Sequence, residues 1–331
     1  MDNNMILKEI DKAVKAIVTP TELGSNALLN PQQFDNFVRE IQDATVILQE
    51  ARYQEMDAHK VEIDRIGFVK RVLEKGGADI DELSTSDFAS PSTNENVLSA
   101  EELMAVVGLK DHTVRRNIER GNLEQTIVTL LGEAAGRDME EWAIFANEDV
   151  SAVDHDNWSA IDLTDAWLVE AGNKLFNDTS GSPWDDTADN WPENLFQALL
   201  ASVPKKYLQV RSDWRIYVTW DIEDAYRDLL KARGTLLGDN IQTQHPPVAY
   251  KGIPVVYVPM LERGQERVAM LQHPDNMVWG IFHEVTLETE REAKKRRTDF
   301  VLTFEGDAGY EDENACVVAI DEDEASSDYS D

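Results

Sequence analysis

The sequence predicts an α+β protein, and three observations carry that expectation. One long stretch, Asn122 to Phe145, repeats apolar residues at helical spacing. Shorter runs around residues 61–65, 103–107, 285–289 and 300–304 alternate apolar with polar, the period of a half-buried strand. Between Leu195 and Val258 the two patterns take turns.

In chain order, Ile6, Ile10, Val14 and Ile17 recur at helical spacing, and the pattern stops at Pro20, which cannot continue a helix. A second helix opens with Asn30 as N-cap and Pro31 at the first helical position, carrying Phe34, Phe37, Val38, Ile41 and Leu48 on one face. These two segments make either a small bundle or an arm lying on a neighbour. From Lys60 to Lys110, Val61, Ile63 and Arg65 alternate with polar residues, then come Gly76-Gly77 and a polar stretch from Ser84 to Asn96. Alternation resumes at Leu103, Ala105 and Val107. Two extended runs enclosing so long a polar excursion predict a projecting hairpin that acts outside its own domain.

The long helix has Asn122 as N-cap and Gln125 as its capping-box partner. Leu123, Ile127, Leu131, Ala135, Met139 and Trp142 form its stripe, supported by Leu130, Ala134 and Phe145. Gly132 and Gly136 each cost about 1 kcal/mol against alanine, so close packing on a sheet or another chain is expected there. A Trp- and Asp-rich linker with Trp158, Trp184 and Trp191 follows. Leu195 to Leu200 then read as helix, Ile216 to Trp220 as strand, Ile222 to Leu230 as helix and Ile253 to Val258 as strand. Near the end, Val285, Leu287 and Thr289 alternate, as do Phe300, Leu302 and Phe304, with Lys294-Lys295-Arg296-Arg297 as the turn between them.

Composition narrows the setting. With 64 acidic against 31 basic residues the formal net charge is -33, so most of the surface repels nucleic acid and anionic membrane. Yet 42% of residues are hydrophobic, enough for a packed core. In salt near 1 M the Debye length is about 3 Å, and neighbouring carboxylates hardly interact. A folded protein adapted to high salt is the expectation, with an ordinary acidic protein as the alternative. Cys316, the single cysteine, excludes an intrachain disulfide and a cysteine-built metal site. Asp2 and Glu9 interrupt the first apolar run, unlike a signal peptide, and no run of about 18 apolar residues could span a bilayer. An intracellular or particle-associated protein is expected.

Catalytic motifs are missing. No Gly-x4-Gly-Lys loop or Gly-x-Gly-x-x-Gly fingerprint occurs, and the histidines, His59, His112, His155, His245, His273 and His283, have no ligand spacing. Ser202-Val203-Pro204-Lys205 matches a Ser-x-x-Lys pattern, but Pro204 breaks the helix that chemistry needs. The acid clusters Glu311-Asp312-Glu313 and Asp321 to Glu324 lack the spaced ligands and glycine of a calcium loop. The basic run has two readings: a solvated turn, or a partner for carboxylates on another copy through bidentate arginine.

The segment order resembles a known family. An N-terminal arm, a long hairpin, Asp111-His112-Thr113-Val114-Arg115-Arg116-Asn117-Ile118-Glu119, a long helix opening Asn122-Leu123-Glu124-Gln125-Thr126, a mixed domain and a terminal ribbon look like a tailed-virus major capsid protein of the Hong Kong 97-like fold. "RRNIERGNLEQTIVTLLGEAAGRDMEEWAIFANED" is similar to the entry into that family's spine helix, and "VAYKGIPVVYVPML" resembles a strand segment of its axial domain. "RRTDFVLTFEGDAGYEDENACVVAI" resembles its peripheral strand and C-terminal closure. The likeness runs from about Lys60 onwards.

The resemblance implies an N-terminal arm over 1–58 and an extended loop over 59–111 lying across the neighbouring subunit. It implies a peripheral domain with spine helix and long β-ribbon over 112–157 and 278–331, and an axial domain over 158–277. Lys294, Lys295, Arg296, Arg297, Arg115 and Arg116 become candidates for contacts between subunits. Some members join a loop lysine to an asparagine; no pattern marks Lys60, Lys70 or Lys75 for this, so no cross-link is expected. The implied function is structural: pentamers and hexamers assembling, in the host cytoplasm, into the icosahedral head of a haloarchaeal tailed virus. That head would enclose double-stranded DNA without sequence-specific binding. Portal, decoration and scaffold proteins are the expected partners, with no membrane, cofactor, metal or catalysis. The alternatives are an encapsulin-like cellular shell and a halophilic α/β enzyme.

Overall fold

The computed structural model describes residues 45–68, 91–110, 123–147, 164–177, 184, 190–232, 247–264, 266–282 and 286–322. The helices expected before residue 45, the Gly76-Gly77 pair, Arg115 and Arg116 lie outside them.

A short helix, α1 (Ile47–Glu50), leads into β1 (Arg52–Met56). Next come β2 (Lys60–Phe68), β3 (Pro91–Ser99) and β4 (Glu101–Lys110), then the long helix α2 (Leu123–Phe145). The middle of the chain holds β5 (Lys174–Leu175), α3 (Trp191–Ser202), β6 (Arg215–Val218), α4 (Trp220–Ala232), β7 (Val248–Tyr250), β8 (Ile253–Tyr257) and β9 (Val268–Gln272). The last strands are β10 (Met277–Phe282), β11 (Thr286–Glu292), β12 (Arg297–Tyr310) and β13 (Val317–Ile320). An α+β architecture results, with the helices and strands expected between Leu195 and Val258 all present.

Two sheets share one core. The first runs β1-β10-β12-β11, with β4 also paired to β12; the second runs β5-β13-β9-β6-β8-β7. In the second sheet β9 and β13 are buried along their whole length because both faces are covered. Val268, Met270, Val318 and Ile320 face a core shared with α1, α2 and the first sheet. Their neighbours Ala269, Leu271, Val317 and Ala319 face a second core beneath α3 and α4. Within α2, Ala135, Met139, Trp142 and Phe145 are buried as expected, and Gly132 and Gly136 are buried too. Leu130 is not part of the stripe: it is 55% exposed. It precedes Met139 by nine residues, about two and a half turns at 3.6 residues per turn, and so falls on the opposite face.

Three pairings differ from the sequence reading. The hairpin closes β2 on β3, from Lys60 opposite Ser99 to Phe68 opposite Pro91, so half of the supposed polar excursion is strand. The run at Leu103, Ala105 and Val107 instead belongs to β4, which pairs with β12 from Glu101 opposite Gly306 to Lys110 opposite Arg297. Pro-Ser-Thr-Asn-Glu-Asn has no apolar alternation, so it gave no strand signal although its backbone pairs with β2. The third is β13, expected with the ribbon but hydrogen-bonded to β9 and β5 in the second sheet. Nor is Trp184 a linker residue: it is buried in the second core, and the Arg267 guanidinium sits 5.7 Å above its ring and 5.1 Å above that of Trp191.

Candidate assembly surfaces

The ribbon is β11 against β12, in register from Thr286 opposite Thr303 to Glu292 opposite Arg297, so the basic run forms its turn as expected. The turn is tight: the Arg296 N–H reaches the Ala293 carbonyl at 3.4 Å, and Arg296 takes a left-handed φ of 50°. Four like charges there are not equivalent. Lys295 pairs with Glu292 at 3.0 Å, and Arg297 pairs with Asp299 at 2.6 Å. Gly108 of β4, opposite Asp299, leaves room for that second pair, since a Cβ there would stand 2.8 Å from Asp299 Oδ1. Lys294 and Arg296 are exposed and have no ion-pair partner among the described residues.

Beside the ribbon, β4 has two contrasting faces. Leu103 is buried, and Ala105, Val107 and Leu109 pack on the main core. The alternate residues point away, leaving Met104 67% and Val106 54% exposed beside Thr303 and Val301 of β12. Val97 of β3 is exposed as well. Glu102 on β4 and Glu288 and Glu290 on β11, all exposed, border this strip with charge. Exposed apolar side chains on an edge strand are a template for association, so nearby charge restricts which surfaces can approach.

The hairpin root rests on the same sheet. The Ala100 N–H bonds the His59 carbonyl at 2.8 Å, and the His59 ring stacks on Phe282 with centroids 4.9 Å apart. Its Nδ1 lies 2.7 Å from Glu305 of β12. The Ser99 N–H donates to Asp307 at 2.6 Å, and the Asn96 amide donates to the Tyr310 carbonyl at 2.7 Å. A small apolar cluster of Met56, Ile63, Leu98, Val278 and Phe282 lies beneath, separate from the main core. Close by, burial pushes the Asp307 carboxyl up to about 7 and that of Glu170 up to about 8; Glu101 and Asp165 add to the rise at Asp307, and Asp307, Glu313 and Asp165 to that at Glu170.

The remaining candidate chemistry is absorbed by structure. Among the described residues no group of three or more His, Cys, Asp or Glu could hold a metal ion, and no described helix is long and apolar enough to cross a membrane. Glu311 pairs with Arg52 at 2.5 Å, and Asp312 accepts from Tyr207 and from the Asn314 N–H. Asp321 holds Arg267 and Asn177. Ser202 donates to the Ala198 carbonyl at the end of α3, while Lys205 donates to the Leu200 carbonyl, so the Ser-x-x-Lys pair is a helix terminus. Cys316 is buried, which pushes its thiol up to about 12 and leaves it inert. Sequence reading missed His59, Asp307, Glu170, Met104 and Val106. Only the last two had a signal, the face opposite Leu103 and Ala105.

Comparison with known proteins adds an independent line. No family model matches the chain. It is 29% identical over 310 residues to the putative prophage capsid protein YqbE of Bacillus subtilis, covering 91% of this chain and 94% of that one. Among solved structures, a chain of the satellite phage P4 procapsid including size determination (Sid) protein matches with a TM-score of 0.58 at 13% identity, over 87% of this chain and 99% of that one. A chain from the capsid of the native GTA particle matches at 0.59 and 14% identity, over 84% and 90%. A chain of Mycobacterium phage Che8 matches at 0.56 and 14% identity, over 83% and 90%. The α+β fold is therefore that of phage capsid subunits.

Proposed function

We propose that this chain is the major capsid protein of a tailed phage or virus, a structural subunit and not an enzyme. One observation carries the reading: the likeness to a prophage capsid protein extends over 91% of the chain, so it includes the ribbon, hairpin and long helix together. The fold agrees, since chains from the P4 procapsid, the GTA capsid and phage Che8 align over most of their length. So do the surfaces, because a projecting hairpin, a basic turn and an apolar edge strip offer several contacts to copies of the same chain.

Assembly then produces pentamers and hexamers closing into an icosahedral head around double-stranded DNA, in the host cytoplasm, with a portal and decoration or scaffold proteins as partners. In this scheme residues 1–58 are the arm, 59–111 the loop, 112–157 and 278–331 the peripheral part and 158–277 the axial part, with β13 shared between the last two. Of the basic run, Lys294 and Arg296 meet a neighbour's carboxylates, while Lys295 and Arg297 pair with Glu292 and Asp299 of their own chain. The working solvent we propose is concentrated salt and the host a haloarchaeon, on the net charge of -33 alone, since the prophage relative is from Bacillus subtilis.

Electron microscopy of the purified full-length chain in high salt is the test. Closed shells or capsomer rings are expected; a monodisperse monomer at every salt and protein concentration would overturn the proposal. DNA inside native particles separates a viral head from a cellular cargo shell.

A further inference from the structure

The hairpin β2–β3 is joined to the body through groups that change charge. Ser99 closes the hairpin and Ala100 is the only residue between it and β4. At this elbow Ser99 is held by Asp307, and His59 by Glu305, while the apolar cluster beneath contains five buried residues among those described. Glu170 approaches from the segment after α2, and both it and the hairpin press on one glycine. A Cβ at Gly309 would stand 2.7 Å from Glu170 Oε2 and 3.3 Å from Leu98 Cδ2. Segment 164–172 is itself fastened to β12 there, through Trp167 Nε1 to the Gly309 carbonyl at 3.0 Å and the Tyr310 hydroxyl to the Trp167 carbonyl at 2.9 Å.

We propose that this elbow is a pH-dependent hinge: mild acid tightens the hairpin root against β12, and alkali loosens it.

The charges around it fix the sign. Asp307 faces Glu101 of β4 and Asp165, and Glu170 faces Asp307, Asp165 and Glu313 of the turn after β12. On the outer side, Glu102 is opposite Glu305, which pairs with His59. The neighbouring cation Arg52 is already engaged by Glu311. Backbone N–H groups of Ser99 and Ala308 at Asp307, and of Tyr310 at Glu170, favour the ionised forms, but the loss of water on burial outweighs them and no cation is among the groups that act on either carboxyl. Both carboxyls titrate above their ordinary values, at about 8 and about 7, so what their protonated forms contribute is complete in acid and lost as pH rises through that range. Two ionised carboxylates can then be solvated only if water enters, beside the small apolar cluster under the hairpin root.

The proposal does not depend on the capsid reading, because every group named lies within one chain. It is tested by hydrogen exchange on the full-length chain at constant salt, with amide rates corrected for the intrinsic effect of pH. Between about pH 6 and about pH 9, protection in residues 59–68 and 91–100 is expected to fall at least about fivefold relative to β9, which serves as internal reference. Glu170→Gln should reduce that drop to less than about twofold. Root protection independent of pH in the unaltered chain, or an undiminished drop in Glu170→Gln, overturns the hinge. Asp307→Asn gives the same discrimination if Glu170→Gln does not fold.

Discussion

Glu140 joins two elements that are far apart in sequence. It is buried on α2 and accepts the N–H groups of Val46 and Ile47 at 2.8 and 2.6 Å, serving as the cap that α1 lacks in its own sequence. Burial raises its carboxyl, and those same backbone bonds oppose the rise. At the other end of α1, Glu50 accepts the Tyr217 hydroxyl at 2.7 Å and pairs with Arg215 at 3.3 Å. Four residues thus tie the long helix to the second sheet. Glu140→Ala leaves one buried and one partly buried donor unpaired and is expected to cost about 1–3 kcal/mol, read as a lower urea midpoint at unchanged slope. Trp142→Ala, which opens a cavity in the main core, is expected to cost about 3–5 kcal/mol. By contrast Leu130→Ala, at a position 55% exposed, should change stability by less than about 0.5 kcal/mol. A large loss at Leu130 would show that a neighbouring copy covers it.

At the level of elements, the ribbon turn is where sequence and structure agree most closely, and also where structure refines the test. Arg297 is engaged with Asp299 inside its own chain, so its reversal would disturb the ribbon itself. Lys294 and Arg296 are the residues that can be altered without breaking an internal pair. The double variant Lys294→Glu with Arg296→Glu is expected to fold with unchanged thermal midpoint but to yield no closed particles on sedimentation; normal particles would remove the turn from assembly. A second element prediction concerns β4. Val106→Asp places a charge in the apolar strip beside Val301, and association should fall while the core face with Leu103 and Val107 stays packed. Circular dichroism checks the fold, and light scattering checks the association. The ribbon was legible because β11 and β12 are adjacent in sequence and alternate cleanly. The pairing of β4 with β12 was not, because about two hundred residues separate the partners and many strands would match its pattern equally well.

For the molecule as a whole, the net charge of -33 and the continuous core act against each other. Repulsion among carboxylates is long-ranged in dilute buffer and short-ranged in brine, whereas the packed cores respond little to that screening. Lowering salt from about 2 M to about 0.05 M should therefore loosen contacts between copies before it unfolds the chain. Particle disassembly by light scattering, at salt where the tryptophan fluorescence is still native, would record this order, and simultaneous loss of both would contradict it. By itself the sequence determined the α+β class, the long helix, the ribbon with its basic turn and the acidic surface, because each is written in local periodicity or in composition. Only the tertiary structure decided that β13 completes the second sheet, that the hairpin closes within its own polar stretch, and that His59, Asp307 and Glu170 meet at one elbow. Those outcomes depend on which distant strands share hydrogen bonds and which carboxylates lose their water, and neither is encoded in the spacing of residues along the chain.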